Sequence, residues 1–425
     1  MAASTEELGS TKIGIVGLGY VGLPLAVEFA DAGCQVIALD SDGTKVASLN
    51  SRQSYIEDIP SSRLGDLKGT LVATSEYKEL STCEAVIICV PTPLTNSRAP
   101  DLTHLIAAAE RFAEVLRPGQ LVVIESTTYP GTTRDLVAPL LSADLEAGKD
   151  FALAFSPERI DPGRKDFSVS NTPKVVGGLT LDCTRQAQSL YENICDTVIP
   201  VSTPETAEIT KLLENIFRLV NIAFINEMAR LCDLLNIDIW EVIDAAATKP
   251  FGFMKFEPGP GVGGHCLPVD PFYLAFKARE NDFFPEFIEL AGKINQYQPH
   301  YCVERIQRFL NERGLALRGA NILLLGVSYK ANIGDVRESP ALRMIQLLRG
   351  LGAEVSYYDS HVPRLVDMGL SSVDDLEDAV QGNDLAVLVT AHSDVELNLV
   401  VDSGALILDL RGVSRGIDSP QLGRL

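Results

Sequence analysis

Gly17-Leu18-Gly19-Tyr20-Val21-Gly22 is a glycine-rich turn between an apolar run, Lys12–Val16, and a predicted helix over residues 24–33. A second apolar run follows at residues 34–39 and ends at Asp40. Strand, glycine turn, helix and strand make a βαβ unit, and an acid about twenty residues after the turn is typical of a dinucleotide site. The stretch therefore predicts the first unit of a parallel, doubly wound sheet.

The glycines of this turn and the acid that follows it each suit the binding of a dinucleotide. Gly17 permits the tight turn, Gly19 lets the backbone approach a pyrophosphate, and Gly22 lets the helix pack close to the strand. Asp40 would accept hydrogen bonds from ribose hydroxyls and repel a 2′-phosphate, which favours NAD over NADP. The alternative is a turn that only connects a strand to a helix. Lys45 lies either near the adenosine ribose or in solvent.

Strand-like and helix-like segments alternate in two regions of the chain, before residue 203 and after residue 317. Between them, residues 203–237 carry apolar side chains at helical spacing, and further helix is predicted from about residue 271 to residue 315. We expect an α/β fold with two Rossmann-like, doubly wound parallel-sheet domains joined by a long central helix. The predicted domains are residues 1–202, 203–317 and 318–425.

The composition is that of a globular, acidic protein. The chain has 425 residues, of which 22% are charged, and a net charge of −21. This charge repels nucleic acid and anionic membranes, and no apolar run reaches the roughly 18 residues of a membrane helix. We expect a cytoplasmic protein with no nucleic-acid or membrane partner. The 8 cysteines form no CxxC pair, so we expect reduced thiols and no metal site.

The most informative loop is Gly-Pro-Gly-Val-Gly-Gly-His-Cys-Leu-Pro-Val-Asp at residues 259–270. Its glycines allow the backbone to approach a ligand closely. Cys266 is either an attacking thiolate for an aldehyde or a buried structural thiol. Asp270 could act as a base or position a water, whereas His265 is either a base or points elsewhere.

Lys211 and Asn215 lie four residues apart in the predicted central helix, so they share one helix face. An ammonium and an amide that project together form a plausible clamp for an oxyanion. The alternative is a solvated polar face.

These features together resemble the UDP-glucose/GDP-mannose dehydrogenase family over residues 11–412. Several motifs in the expected order carry the resemblance. They are Gly-Leu-Gly-Tyr-Val-Gly-Leu-Pro at 17–24, Cys-Val-Pro-Thr-Pro at 89–93, Glu-Ser-Thr-Thr-Tyr-Pro-Gly-Thr-Thr at 125–133, Ser-Pro-Glu-Arg-Ile at 156–160, the loop around Cys266, Gly-Val-Ser-Tyr-Lys at 326–330 and Asp-Val-Arg-Glu-Ser-Pro at 335–340.

The resemblance implies an N-terminal NAD-binding Rossmann domain, a central helical domain with the dimer interface and the cysteine loop, and a C-terminal Rossmann-like domain that binds the nucleotide sugar. It therefore implies a homodimer or a higher homo-oligomer. The long apolar helix also predicts at least a dimer, because it would bury more surface than one chain covers.

The resemblance also implies roles for individual residues. Cys266 is implied as the nucleophile, with Lys211 and Asn215 steadying the oxyanion and Asp270 supporting the base chemistry. Glu158 and Thr127 are implied to position the water that hydrolyses a thioester. The implied cofactor contacts are Gly17, Gly19, Tyr20, Val21, Gly22, Asp40, Lys45, Thr92 and Thr127, and the implied substrate contacts are Glu158, Arg159, Ile160, Lys211, Asn215, Gly263, Lys330, Arg337 and Arg411.

The implied reaction is a four-electron oxidation, with two NAD, of the C6 primary alcohol of a nucleotide sugar to the acid. Residues 247–253 lack the arginine that is usual in the UDP-glucose type, and the cysteine loop is similar to that of enzymes acting on UDP-N-acetylhexosamines. We expect UDP-N-acetylglucosamine, with UDP-glucose and TDP-glucose as alternatives. Other classes are a two-electron alcohol or hydroxy-acid dehydrogenase and a non-catalytic nucleotide-sugar-binding protein.

Overall fold

The computed structural model describes residues 11–56, 59–67, 69–95, 97–142, 144–160 and 166–425. The chain divides into two compact units. The first unit runs to Glu214 and also takes in Phe272–Phe283, and the second unit consists of Asn215–Pro271 and Phe284–Leu425. The three-domain division stays a prediction.

An eight-stranded sheet forms the centre of the first unit. Its strands are β1 Lys12–Val16, β2 Gln35–Leu39, β3 Leu71–Thr74, β4 Ala85–Ile88, β5 Leu121–Ile124, β6 Ala152–Phe155, β7 Lys174–Gly178 and β8 Val198–Val201. They lie in the order β3-β2-β1-β4-β5-β6-β7-β8, and neighbours pair in parallel except β6 with β7. Every residue of β4, β5 and β6 is buried, as expected for parallel strands covered on both faces.

Short helices connect these strands. The first, α1, begins at Gly22 directly after the glycine turn, so the turn sits at a helix N-terminus. The helix α2 begins after Asp42, whose side chain accepts a hydrogen bond from the N–H of Thr44 and caps the helix. The helices of this region are α1 Gly22–Asp31, α2 Gly43–Asn50, α3 Ser61–Asp66, α4 Thr103–Ala113, α5 Ala138–Leu141 and α6 Leu181–Tyr191, with a 3-10 turn Tyr77–Thr82 and a π-helical turn Thr132–Val137.

A 32-residue helix, α7 Pro204–Leu235, carries the chain from the first unit into the second. It is followed by α8 Ile239–Ala247, α9 Asp270–Arg279 and α10 Glu286–Asn311. The helix predicted from about residue 271 to residue 315 is present as two helices, α9 and α10, with a break between them. The segment between α9 and α10 is not helical, because Asp282 has a φ of 55° and Pro285 precedes the first turn of α10.

A five-stranded sheet belongs to the second unit, where all neighbours pair in parallel. The strands after α10 are β9 Asn321–Leu325, β10 Glu354–Tyr358, β11 Arg364–Leu365, β12 Leu370–Ser371, β13 Leu385–Leu388, β14 Ile407–Asp409 and β15 Leu422–Arg424. The sheet has the order β10-β9-β13-β14-β15, and β11 pairs with β12 as a separate ribbon. The helices here are α11 Pro340–Gly350, α12 Leu376–Gln381 and α13 Leu397–Asp402, with a 3-10 turn Val366–Met368.

The two sheets share a backbone arrangement at their carboxyl edges. The Leu18 N–H donates to Asp40 Oδ2 at 2.8 Å, and the Val327 N–H donates to Asp359 Oδ2 at 2.7 Å. Gly326 precedes Val327 with a φ of 81°. A Rossmann-type turn is therefore built here without a full GxGxxG pattern. The predicted fold class, two doubly wound α/β parts joined by a long central helix, is confirmed.

Of the helices in the described part of the chain, none has both the length and the apolar character that crossing a membrane requires.

Candidate active site

The glycine turn of the first unit leaves no room for side chains at two of its positions. Gly17 has a φ of 91°, and a Cβ there would lie 2.7 Å from the carbonyl oxygen of Cys89. A Cβ on Gly22 would lie 1.8 Å from the carbonyl oxygen of Gly17. At Gly19, by contrast, a Cβ would meet no described atom within 4 Å. The open side of the turn is therefore at Gly19, where the backbone can face a pyrophosphate.

Asp40 lies at the end of β2, next to this turn, and is buried. Its Oδ2 accepts hydrogen bonds from the Leu18 N–H at 2.8 Å and from Lys45 Nζ at 3.2 Å. A carboxylate has about four lone-pair positions, so acceptor capacity for a ribose hydroxyl is left. The helix N-terminus, the open backbone at Gly19 and the acid together fit the dinucleotide that the sequence predicts.

The two glycines of this turn predict different defects when each is changed to alanine. Gly22→Ala is expected to lower the free energy of unfolding by about 3 kcal/mol or more, because its Cβ meets backbone that cannot move aside. Gly19→Ala should keep the stability and weaken NAD binding by roughly tenfold, because the methyl occupies space for the pyrophosphate. Thermal unfolding and NAD titration of both variants separate the two effects, and equal loss of stability would contradict this assignment.

Lys211 of α7 reaches the loop after β5 within the first unit. Its Nζ donates to Thr127 Oγ1 at 2.6 Å, and the residue is only 8% exposed. The alternative of a solvated polar face is therefore wrong for Lys211. A buried ammonium that is bonded to a neutral hydroxyl is well suited to hold negative charge on a substrate oxygen.

Glu208, one turn before Lys211, holds the same loop and was not predicted from the sequence. Its carboxylate accepts the N–H of Gly131 at 2.7 Å, and both the N–H and the Oγ1 of Thr133, at 2.9 and 2.7 Å. Burial raises the pKa of Glu208 to about 7. Two neighbouring side chains of α7 thus anchor residues 127–133, and this anchoring fixes the position of Thr127.

Glu158 follows β6 and is held on both of its oxygens. Its Oε1 accepts the N–H groups of Arg159 and Ile160 at 2.8 and 2.6 Å, and its Oε2 lies 3.2 Å from Lys174 Nζ. Burial alone would raise the pKa of Glu158, but Lys174, the Ile160 N–H and Lys211 hold it below its ordinary value. The carboxylate is therefore charged at neutral pH and acts as a hydrogen-bond acceptor. The Arg159 guanidinium is paired with Glu214 at 2.7 Å.

The second unit carries the cysteine loop. Cys266 is exposed, whereas the other seven cysteines of the chain are buried. The alternative of a buried structural thiol is therefore wrong for Cys266. The Asp270 N–H donates to the Cys266 carbonyl at 2.8 Å, and Asn215 Nδ2 donates to Asp270 Oδ2 at 2.6 Å. Loop, acid and amide thus form one connected group.

Close backbone packing explains the glycines of this loop. A Cβ on Gly263 would lie 2.6 Å from Cβ of Tyr329, and the Gly264 N–H donates to the Arg337 carbonyl at 2.9 Å. A Cβ on Gly259 would lie 2.5 Å from Nη1 of Arg411. The structure thus brings the cysteine loop against the segments that carry Lys330, Arg337 and Arg411. The Arg337 guanidinium itself pairs with Asp335 at 2.6 Å.

Known protein families match the chain in three consecutive parts. The NAD binding domain of the UDP-glucose/GDP-mannose dehydrogenase family matches residues 11–195, its central domain matches residues 205–297, and its UDP binding domain matches residues 323–415. The chain belongs to this family. It is an NAD-dependent nucleotide-sugar dehydrogenase, which confirms the predicted oxidoreductase class and the predicted cofactor.

Individual relatives of this dehydrogenase are similar to it in sequence or in structure over most of its length. Protein CapL of Staphylococcus aureus is 35% identical over 95% of this chain and 96% of its own. The UDP-N-acetyl-D-glucosamine 6-dehydrogenase of Pseudomonas aeruginosa is 36% identical over 83% of each chain. The structure of a UDP-D-ManNAc dehydrogenase from Pyrococcus horikoshii is similar with a TM-score of 0.88, at 34% identity, over 97% of this chain and 99% of that one.

Proposed function

We propose that this dehydrogenase oxidises the C6 alcohol of a nucleotide sugar to the acid through a thioester on Cys266. The observation that carries the proposal is the exposure of Cys266 alone among the eight cysteines, on a glycine loop tied to the Asn215–Asp270 pair. A covalent aldehyde oxidation needs an accessible thiol, and Cys266 is exposed on a loop whose backbone is bonded to Asp270.

Each chemical step is assigned to particular residues of the chain. The oxidation removes two hydrides in total, and NAD, when bound, supplies the hydride acceptor. The Cys266 thiolate attacks the C6 aldehyde and forms a thiohemiacetal, whose oxidation leaves a thioester. Asp270 supports proton removal, and Lys211 and Asn215 donate to the oxyanion of each tetrahedral stage. Glu158 and Thr127 position the water that releases the acid.

The nucleotide half of the substrate is assigned to the cysteine loop and the segments that pack against it. Gly263 brings the loop backbone close to the Tyr329 segment, and Arg411 lies against Gly259. Lys330, Arg337 and Arg411 supply positive charge for a diphosphate in a protein whose net charge is −21. Arg159 and Ile160 are proposed to contact the sugar.

The favoured substrate is UDP-N-acetylglucosamine. UDP-N-acetylmannosamine is the second candidate, because relatives named for each sugar are similarly close. A UDP-N-acetyl-D-mannosamine dehydrogenase of Pyrococcus horikoshii is 36% identical over 90% of this chain, against 36% over 83% for the Pseudomonas UDP-N-acetyl-D-glucosamine enzyme. An N-acetylhexosamine carried by UDP is therefore better supported than UDP-glucose or TDP-glucose.

The test is the number of NADH molecules formed per nucleotide sugar at completion. UDP-N-acetylglucosamine, UDP-N-acetylmannosamine, UDP-glucose and TDP-glucose are assayed in parallel. Two NADH from an N-acetylhexosamine are expected, because the acid lies four electrons beyond the alcohol. One NADH would contradict the thioester route, and two NADH from UDP-glucose only would contradict the proposed sugar.

A homodimer is proposed from the apolar surface of the second unit. Phe217, Phe224 and Leu231 lie seven residues apart on α7 and are exposed, as are Phe287 and Leu290 on α10. Large apolar side chains in a stripe are typical of an interface between subunits. Light scattering should give twice the chain mass, and Phe224→Glu should shift it toward the monomer. A monomeric wild type at micromolar concentration would contradict the proposal.

The cytoplasmic location expected from the sequence also stays a prediction.

A further inference from the structure

A lysine lies buried between two carboxylates in the first unit. Lys174, the first residue of β7, has its Nζ 3.0 Å from Oε1 of Glu125 and 3.2 Å from Oε2 of Glu158. The three side chains are 5%, 0% and 11% exposed. Taking an ammonium out of water is strongly unfavourable unless it is paired. A cation in this position acts directly on the charge of both carboxylates, one of which is the proposed water-positioning residue Glu158.

The two carboxylates around Lys174 have different environments. Oε1 of Glu158 accepts two backbone N–H groups, so together with Lys174 this carboxylate receives three donors. Oε1 of Glu125 is shared between Lys174 and the Tyr191 hydroxyl, and its Oε2 has no hydrogen-bond partner within the described residues. Burial raises the pKa of Glu125, whereas that of Glu158 is lowered. The ammonium lowers the pKa of both carboxylates, and at Glu158 the backbone donors act in the same direction.

We propose that Lys174 is a positioning residue for thioester hydrolysis, which keeps the Glu158 carboxylate ionised and fixed as the acceptor for the attacking water. This inference rests on the proposed function, because it requires a thioester on Cys266. In the step, the water oxygen bonds to the thioester carbon and the C–S bond breaks, with the electron pair leaving on sulfur. One proton of the water goes to the Cys266 thiolate and the other to solvent, so no electrons are exchanged.

The role has a defined pH signature. A neutral Glu158 can no longer accept from a water with the strength of a carboxylate, so hydrolysis needs the ionised form. An opposite charge within about 4–6 Å lowers a carboxyl pKa by about 1–3 units, so removing the ammonium should move the acidic limb of hydrolysis upward by about 1–3 pH units. Among the residues that the structure describes, the titratable groups that interact with Glu158 or Lys174 include Glu125, Tyr191, Cys89, Cys195 and Lys211.

The experiment compares a double variant, Lys174→Met with Glu125→Gln, to the single variant Glu125→Gln. The double variant removes Lys174 and its partner Glu125 together, so no unpaired Glu125 carboxylate is left buried. The single variant keeps the Lys174–Glu158 ion pair. Rapid mixing with NAD and UDP-N-acetylglucosamine is followed by NADH absorbance and by mass spectrometry of Cys266. The double variant should form two NADH per subunit in a burst, accumulate the thioester on Cys266, and show the shifted acidic limb. The single variant should behave as the wild type does.

A double variant that turns over with the wild-type pH profile and without an adduct on Cys266 would overturn the role of Lys174. If the wild type itself forms one NADH and no adduct appears in any variant, the proposed function fails instead. Lys174→Arg decides the matter if the double variant does not fold, because it keeps the charge. The wild-type pH profile is expected for Lys174→Arg, and an upward shift in a folded Lys174→Arg protein would count against the proposal.

Discussion

A Cys266→Ser variant is expected to lose the second NADH, with overall turnover to the acid reduced by roughly 10³-fold or more. A serine hydroxyl is almost wholly protonated at neutral pH, so it attacks the aldehyde far more slowly than a thiolate does. Because Cys266 is exposed, the change removes no core packing. The melting temperature should therefore stay near that of the wild type. Turnover is measured as NADH and acid formed per nucleotide sugar.

Cys232→Ala is the matched control in the same unit. Cys232 is buried in a small apolar cluster with Ile225, Ile239 and Trp240. Its truncation should lower stability by about 1 kcal/mol and leave two NADH per sugar. If Cys266→Ser still forms two NADH per sugar at the wild-type rate, the covalent route is wrong and a two-electron dehydrogenase acting twice would have to replace it.

Lys211→Met is expected to reduce kcat by roughly 10²–10³-fold while NAD affinity stays within a few fold. The side chain is nearly the same length, so the buried site remains filled, but the donor for the oxyanion is lost. Thr127 Oγ1 also loses the bond that it accepts from Lys211 at 2.6 Å. Steady-state kinetics, together with NAD titration, separates the loss of transition-state stabilisation from a loss of cofactor binding.

Lys149→Met supplies the control for a lost positive charge in the first unit. Lys149 is exposed and pairs with Glu146 at 2.9 Å on the surface, where ion pairs contribute little. Its kcat should equal that of the wild type. A Lys211→Met enzyme within threefold of the wild type would show that Lys211 has a structural role only, with the oxyanion stabilised elsewhere.

Local patterns predicted the features that depend on neighbours in sequence. The glycine turn, the acid at the end of β2 and the long helix α7 each follow from spacing over fewer than about forty residues, because backbone dihedrals and side-chain periodicity are local properties. The break between α9 and α10 was missed. The proline at position 285 indicates a break, but the helical periodicity on both sides of it hides this indication.

Long-range contacts explain what the sequence could not show. Glu208 contacts Gly131 and Thr133, more than 70 residues away, and Lys174 contacts Glu125. No sequence motif or spacing therefore marks Glu208 or Lys174 as part of the site. Gly326 carries the turn of the second sheet although it lacks the flanking glycines. Such roles arise only where strands from distant parts of the chain end side by side.

The sequence by itself determined the fold class, the cofactor and the family, because these rest on short motifs whose geometry is local. Only the tertiary structure decided that Cys266 is exposed while the other cysteines are buried, that Lys211 is buried rather than solvated, and that Glu158 shares Lys174 with Glu125. The physical reason is that exposure and charge state depend on which groups surround a side chain. That environment is set when the strands and helices pack.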